Sequence, residues 1–239
     1  MGICTDFHSH ILPGVDDGSR SVEESLQMLR MEWDQGFTRV VATPHFYPNH
    51  DTPEKFLNRR TAAMETLRAA MAGQNDLPQV ILGAEVYYFS GISESDILFQ
   101  LTSGQKSYIM LEMPTVPWTE SMFRELETIH AKHGITPIIA HIDRYIRPFR
   151  TYGIPERLEE LPVLVQANGE FFLRPTTAPM AMRLLRKERI HLLGSDCHNL
   201  SSRKPDLGRA VQKIEKTLGS SAISRLREFE NLVLSPDAP

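Results

Sequence analysis

Seven short runs rich in Val, Ile and Leu recur along this chain, and segments of helical period separate most of them. "ICTDFHSH" (3–10), "GFTRVVAT" (36–43), "QVILGAE" (79–85), "SYIMLE" (107–112), "ITPIIAH" (135–141), "PVLVQAN" (162–168) and "IHLLGSD" (190–196) read as buried strands. Helical period marks 22–35, 54–72, 120–133, 176–188 and 204–218. Ser21 and Glu24 have the spacing of a capping box, and Gly36 stands where that first helix should stop. Strands alternating with helices in this way require a parallel sheet, open or closed into a barrel. A chain of 239 residues, 41% hydrophobic and with no readable linker or repeat, fits a single domain spanning 1–239. Residues 219–239 are expected to begin with a short helix and to end in a loose "SPDAP" tail.

Polar residues terminate nearly every run: His8 and His10, His45, Glu85, Glu112, His141, Asn168, then Asp196 and His198. In parallel α/β folds the C-terminal strand edge is where ligands bind. His50, His130, His133 and His191 fall elsewhere and read as ordinary surface groups. Residues i and i+2 of a strand share a face, so His8 and His10 can grip one cation, as can Asp196 and His198. A bare H-x-H is weak; with D-x-H at the far end of the series and His45, Glu85, Glu112 and His141 between, it points to metal rather than to a hydrogen-bonded polar network. Adding Asp17 makes nine candidate ligands: His8, His10, Asp17, His45, Glu85, Glu112, His141, Asp196 and His198. That exceeds the needs of one ion, and a shared Glu85 would allow two or three. Mixed nitrogen and carboxylate donors suit Zn, Mn or Fe. Such clusters acidify a bridging water and clamp the oxygens of a phosphoryl transfer, so phosphate esters are the expected substrates.

Composition excludes much else. A net charge of −4 gives no basic footprint for nucleic acid. Two cysteines, Cys4 and Cys197, imply no disulfide framework and fit a reducing cytoplasmic setting. The sequence reaches "DFHSH" without a charged, apolar leader, Asp6 stands where a myristoylation signal needs Ser or Thr, and no apolar run has the length of a membrane span.

The set "DFHSH", "VDDG", "TPHF", "GAEVYY", "IIAHIDRY" and "GSDCHNL" resembles the polymerase and histidinol phosphatase (PHP) superfamily. Within it, the likeness is to the bacterial capsule-type tyrosine-protein phosphatases, from Asp6 to about Arg209. The resemblance implies an α/β fold, a single-domain distorted (β/α)7 barrel, with two or three metal ions per chain. Mn2+ is the expected ion, with Fe, Zn, Mg or Co as substitutes. It implies that His8, His10, Glu85 and Asp196 hold one ion, that Glu85, Glu112 and His141 hold a second, and that Asp17, His45 and His198 hold a third. Asp17 is preferred to Asp16 because it precedes the glycine, as in the family pattern. The implied substrate is the phosphorylated tyrosine-rich tail of a bacterial tyrosine autokinase controlling capsular or extracellular polysaccharide synthesis and export.

Arg144 follows His141 by three residues and Arg203 follows His198 by five, which places both guanidiniums beside the proposed metals. Their planar forks match phosphate oxygens, so both are assigned to substrate binding, and with Asp196 and His198 to catalysis. Tyr87 and Tyr88 follow Glu85, where a ring could stack on a phenyl ester or simply pack in the core. Gly14 and Gly18 are expected to give the first loop its backbone freedom. A rival lies in Cys197 to Arg203, a Cys-x5-Arg like the phosphate cradle of thiol-based tyrosine phosphatases. It lacks a glycine, Lys204 follows the arginine, and it leaves eight candidate ligands unused. The alternatives within the metal reading are histidinol phosphate or another small phosphomonoester, then a nuclease; outside it stands a catalytically silent scaffold.

Overall fold

A computed structural model describes residues 4–103, 107–146 and 153–234; the expected tail at 235–239 lies outside them. The strands are β1 (Thr5–Ser9), β2 (Arg39–Ala42), β3 (His45–Phe46), β4 (Gln79–Leu82), β5 (Glu85–Tyr87), β6 (Tyr108–Glu112), β7 (Thr136–Ile139), β8 (Leu164–Asn168) and β9 (Leu192–Gly194). The helices are α1 (Val22–Asp34), α2 (Pro53–Met71), α3 (Leu98–Leu101), α4 (Glu120–His133), α5 (Ile154–Leu158), α6 (Gly169–Leu173), α7 (Ala178–Arg186), α8 (Leu207–Leu218) and α9 (Ser220–Leu234).

All strand pairs are parallel, and two of the expected strands are each followed, after a two-residue break, by a second short strand. The run 36–43 yields β2, and a second strand, β3, forms past its expected end, beyond Thr43–Pro44, where proline cannot donate to a ladder. The neighbouring run becomes β4 and β5, split at Gly83–Ala84. Each half pairs with its counterpart, β2 with β4 and β3 with β5. The ring then continues through β6, β7 and β8 to β9. It closes on β1 through a bridge between Ser9 and Cys197, with Asp196 N donating to His8 O at 2.8 Å and His10 N to Cys197 O at 2.9 Å. Seven strand positions in sequence order therefore form a distorted barrel.

One irregularity in β1 decides which way the first histidines point. Asp6 pairs with Val40 and Ser9 with Ala42, so three steps on β1 match two on β2. Both Phe7 and His8 then stand opposite Val41, as in a β-bulge. Phe7 packs with Val41, Met110, Ile138, Leu164 and Leu192 from other strands, filling the barrel interior. His8 and His10 are released to the same interior one level higher. The remaining core lies between the strands and the surrounding helices.

α9 is longer than the short helix expected. Its Val233 joins the interior cluster, and its Glu230 carboxylate accepts from Thr5 N at 2.8 Å and Cys4 N at 3.2 Å. The C-terminal helix thus covers the N-terminal end of the barrel and anchors the start of β1. Cys4 lies ahead of β1 and is half-buried, not a buried strand residue. At the start of α1, Ser21 Oγ accepts from Glu24 N at 3.2 Å. The return half of the expected box goes elsewhere: Glu24 takes the backbone N–H and guanidinium of Arg20.

Candidate metal centre

The candidate ligands gather at the end of the barrel where the strands finish, Asp17 reaching it from the loop between β1 and α1. His8 is on β1 and His10 follows it; His45 opens β3, Glu85 opens β5 and Glu112 ends β6. His141 lies two residues beyond β7, and Asp196 and His198 lie just beyond β9. His141 (φ 30°) and Asp196 (φ 54°) occupy the left-handed region, which is costly for side chains other than glycine and tends to mark functional sites. The strand-end turn aims each back over the barrel mouth.

The densest point is formed by four atoms. His8 Nε2 is 3.2 Å from His10 Nε2, 3.2 Å from Glu85 Oε2 and 3.6 Å from Asp196 Oδ1. His10 Nε2 is 3.4 Å from Glu85 Oε2 and 3.5 Å from Asp196 Oδ1. Tetrahedral ligands bound at about 2.0–2.1 Å stand about 3.3 Å apart, so the His8, His10 and Glu85 atoms fit one cation, with Asp196 Oδ1 beside the two rings.

The opposite ring nitrogens define the tautomers. His10 Nδ1 donates to Asp16 Oδ2 at 2.7 Å. His8 Nδ1 lies 3.3 Å from Gln166 Oε1, which also accepts the backbone N–H of His141 at 2.6 Å and is therefore the oxygen. Both Nε2 atoms then carry bare lone pairs facing each other and two carboxylates. That arrangement calls for positive charge between them. Burial opposes charging these rings, yet Glu85 and Asp196 raise the proton affinity of His8, and Asp16, Asp196 and Glu85 raise that of His10 well above the ordinary value. Conversely, burial disfavours ionised Glu85 and Asp196, but the histidines hold both well below the usual carboxylate range. Glu85 Oε2 and His198 Nε2 are buried without hydrogen-bond partners. Such orphans are expected where a ligand belongs.

Two further groups adjoin this point. His45 Nδ1 is 3.0 Å from Glu85 Oε2 and 3.9 Å from Glu112 Oε2. His141 Nε2 is 2.6 Å from Glu85 Oε1 and 3.7 Å from Glu112 Oε1. Asp17 Oδ1 lies 3.6 Å from His45 Nε2 and 3.5 Å from His198 Nε2. His10, Asp17, His45 and His198 form one set of converging ligand atoms, and His45, Glu85 and Glu112 form another. His45 thus stands between the groups, one ring nitrogen toward each. Glu85 touches His8, His10, His45 and His141, the contacts a bridging carboxylate requires.

The arginines lean over the same mouth. Arg144, on a short 3-10 turn, reaches Glu112 Oε1 at 2.8 Å and Asp196 Oδ2 at 3.0 Å. Arg203 Nη2 donates to Asp196 Oδ1 at 2.8 Å. Both are partly exposed, so each offers an open face to an anion. Burial lowers the proton affinity of His198, to a pKa of about 4, and neighbouring His10 adds to the effect.

Several contributors were not legible as site residues. Gln166 links His8 to His141 and passes a hydrogen bond to Asn168 Oδ1 at 3.0 Å; Asn168 Nδ2 then donates to Asp196 Oδ2 at 2.9 Å. Gly194 has no room for a side chain, since a Cβ there would stand 2.7 Å from Gln166 Nε2 and 2.5 Å from His8 Cβ. Asp16 also accepts from His45 N and Gly18 N, so of the adjacent pair it orients while Asp17 faces the mouth. Tyr145 OH lies 3.5 Å from His141 Nδ1. Asn168 stood out only as a polar strand end and Asp16 only as the neighbour of Asp17, and nothing in their spacing marked either as an orienting residue.

Other expectations resolve differently. Gly14 has the positive φ foreseen (67°), but Gly18 does not; it is needed because a Cβ would lie 2.2 Å from His10 O. Tyr88 is core, its hydroxyl pushed up to about 12 by burial and Glu125, while Tyr87 is half-buried beside Tyr47. His130, His133 and His191 take local hydrogen bonds away from the mouth, and His191 is held at about 4 by burial. The Cys197 thiol is fully buried and its pKa is driven well upward by that burial and by Glu32 and Asp6. In its loop the amides of His198 and Asn199 both donate to Arg203 O, at 2.7 and 3.2 Å, so neither is free to cradle phosphate. The Cys-x5-Arg alternative has neither an accessible nucleophile nor an anion nest.

Residues 4–232 match the family model described as capsular polysaccharide synthesis, CpsB/CapC. The tyrosine-protein phosphatase YwqE of Bacillus subtilis (strain 168) is 29% identical over 238 residues, covering 96% of this chain and 91% of the relative. The tyrosine-protein phosphatase CpsB of Streptococcus pneumoniae is 29% identical over 242 residues, covering 92% and 93%. A solved structure from work on YwqE and CpsB, described as unique metal-dependent tyrosine phosphatases, shares the fold with a TM-score of 0.83 at 24% identity, over 96% of this chain and 94% of that one.

Proposed function

The chain belongs to the CpsB/CapC family of capsular polysaccharide synthesis, and from that membership and the ligand cluster we propose a metal-dependent phosphatase that hydrolyses phosphotyrosine on a protein. One observation carries the chemistry: His8, His10 and Glu85 converge at metal-ligand spacing, with Asp196 beside both histidines and beneath two guanidiniums. His8, His10, Glu85 and Asp196 would hold one ion, Glu85, Glu112 and His141 a second, and Asp17, His45 and His198 a third, with Glu85 shared and Mn2+ the expected metal. Bound there, such ions supply an acidified water and a clamp on phosphoryl oxygens.

The chain's own groups do the rest. Arg144 and Arg203 turn from the carboxylates toward the phosphate and stabilise charge on its non-bridging oxygens. Asp196, gripped by both arginines and by Asn168, couples phosphate binding to the ligand cluster. His198, kept neutral by burial, presents its free Nε2 toward Asp17 at the mouth. The buried floor of Phe7, Met110 and Ile138 excludes water from below.

The relatives' names support a phosphotyrosyl protein as substrate, and we assign the tyrosine-rich tail of a bacterial autokinase controlling polysaccharide export. No helix among the described residues is long and apolar enough to cross a membrane, and a cytoplasmic site of action is part of the proposal. The test is phosphate release from a phosphotyrosyl peptide by protein stripped with chelator and then resupplied with Mn2+. Activity should vanish and return. Activity that survives stripping would overturn the metal reading; hydrolysis of histidinol phosphate alone would replace the substrate.

A further inference from the structure

A groove of about 490 Å³ opens outward from the candidate ligands Asp17 and His45, and its outer wall takes no part in the chemistry above. Its walls come from the first loop, the segment after β3 and α2, and include Asp17, His45, Tyr47, His50 and Arg59. Tyr47 stacks on His45 with ring centroids 4.9 Å apart and planes 30° from parallel. His50 lies 5.8 Å from Tyr47 on the same wall, and Tyr87 supports Tyr47 at 5.6 Å. Across the groove the Arg59 charge is neutralised: its Nη1 meets Asp51 Oδ2 at 2.6 Å, and its Nε donates to Val15 O at 3.1 Å.

We propose that this groove is the subsite for the aryl ring of the substrate, with Tyr47 and His50 as its specificity-determining residues; the inference rests on the phosphatase reading above. Tyr47 provides the measure of depth. Its ring runs along His45 while its own phenolic oxygen reaches His45 Nδ1 at 3.2 Å and Glu112 Oε2 at 3.4 Å. A second phenol ring packed against Tyr47 at the usual aromatic spacing of about 5 Å, and running the same way, brings its ester oxygen to the same depth. That depth is where Glu85, Glu112 and the arginines meet. A short alkyl phosphate reaching the same point leaves the wall uncovered and forgoes the ring contact. The groove therefore selects aryl over alkyl phosphomonoesters.

The test compares kcat/KM for one peptide carrying either phosphotyrosine or phosphoserine, using Mn2+-loaded wild type, Tyr47→Phe, Tyr47→Leu and His50→Ala. The aryl-to-alkyl ratio should fall about three- to tenfold in Tyr47→Leu, the range an aromatic pair supplies. It should fall less in His50→Ala and hold in Tyr47→Phe, which keeps the ring and loses only the hydroxyl. A ratio unchanged in both Tyr47→Leu and His50→Ala would overturn the inference. Calorimetric binding of phenylphosphonate against methylphosphonate to the same loaded proteins decides the matter independently of turnover. If neither ester is hydrolysed yet wild type prefers phenylphosphonate and Tyr47→Leu does not, the subsite stands and the phosphatase reading fails. Equal affinity for the two phosphonates in wild type would sink the subsite alone. Should Tyr47→Leu not fold, His50→Ala carries the comparison in both assays.

Discussion

His10 shows how much of the site depends on atoms facing away from it. Asp16 holds its Nδ1–H, so its Nε2 is fixed as a lone pair pointing at Glu85 and Asp196. His10→Ala should abolish phosphotyrosyl peptide hydrolysis and lower the Mn2+ content, whereas Cys197→Ser should stay near wild-type activity. Loss of turnover in the cysteine variant with metal still bound would contradict the mechanism. Gln166 gives a subtler case, because it orients His8 and His141 without facing the centre. Removing such an outer partner typically costs 10–100-fold in metal affinity. Gln166→Leu is therefore expected to weaken Mn2+ binding about 10–100-fold by calorimetry, and to lower the melting temperature of the chelated protein as well, because the buried His141 N–H loses its acceptor. Histidine and carboxylate spacing could be read directly from the sequence. The orienting role of Gln166 could not, because glutamine on a strand has no spacing signature of its own.

At the scale of elements, composition and period were enough to place the strands and the main helices, because both depend on local pattern. The bulge in β1 was not legible: strict alternation puts Phe7 and His8 on opposite faces, and only the register against β2 turns both inward. α1 carries a second hidden feature. Both Glu32 carboxylate oxygens are buried without a hydrogen-bond partner, close to Asp6, which itself accepts from the amides of His8 and Ser195. Burial, then the Asp6 charge, raises the Glu32 pKa well above its ordinary value. The fold therefore binds a proton that the unfolded chain releases, and stability is lost as pH rises above the ordinary carboxyl range. Glu32→Gln removes that loss. Its melting temperature should exceed wild type at about pH 7 and match it at about pH 4. A gain equal at both values would show that Glu32 is not held protonated.

For the whole molecule, the barrel divides the work between its two ends. The N-terminal end is closed by Phe7 and its neighbours, with Val233 and Glu230 of α9 fastened beneath. The C-terminal end gathers nine candidate ligands from every strand position except β8, which contributes the orienting Gln166 and Asn168 instead. Closure between β1 and β9 sets His8 and His10 against Asp196, although 186 residues separate His10 from Asp196 in sequence. That convergence is a property of the ring, and spacing along the chain could suggest it only through the repetition of polar strand ends. The most direct measurement is equilibrium dialysis of Mn2+ against wild type and Asp196→Ala, with phosphotyrosyl peptide turnover followed at each free metal concentration. Turnover should rise in step with occupancy to two or three ions per chain, and Asp196→Ala should lose both together. Full turnover by protein carrying no metal would contradict the account.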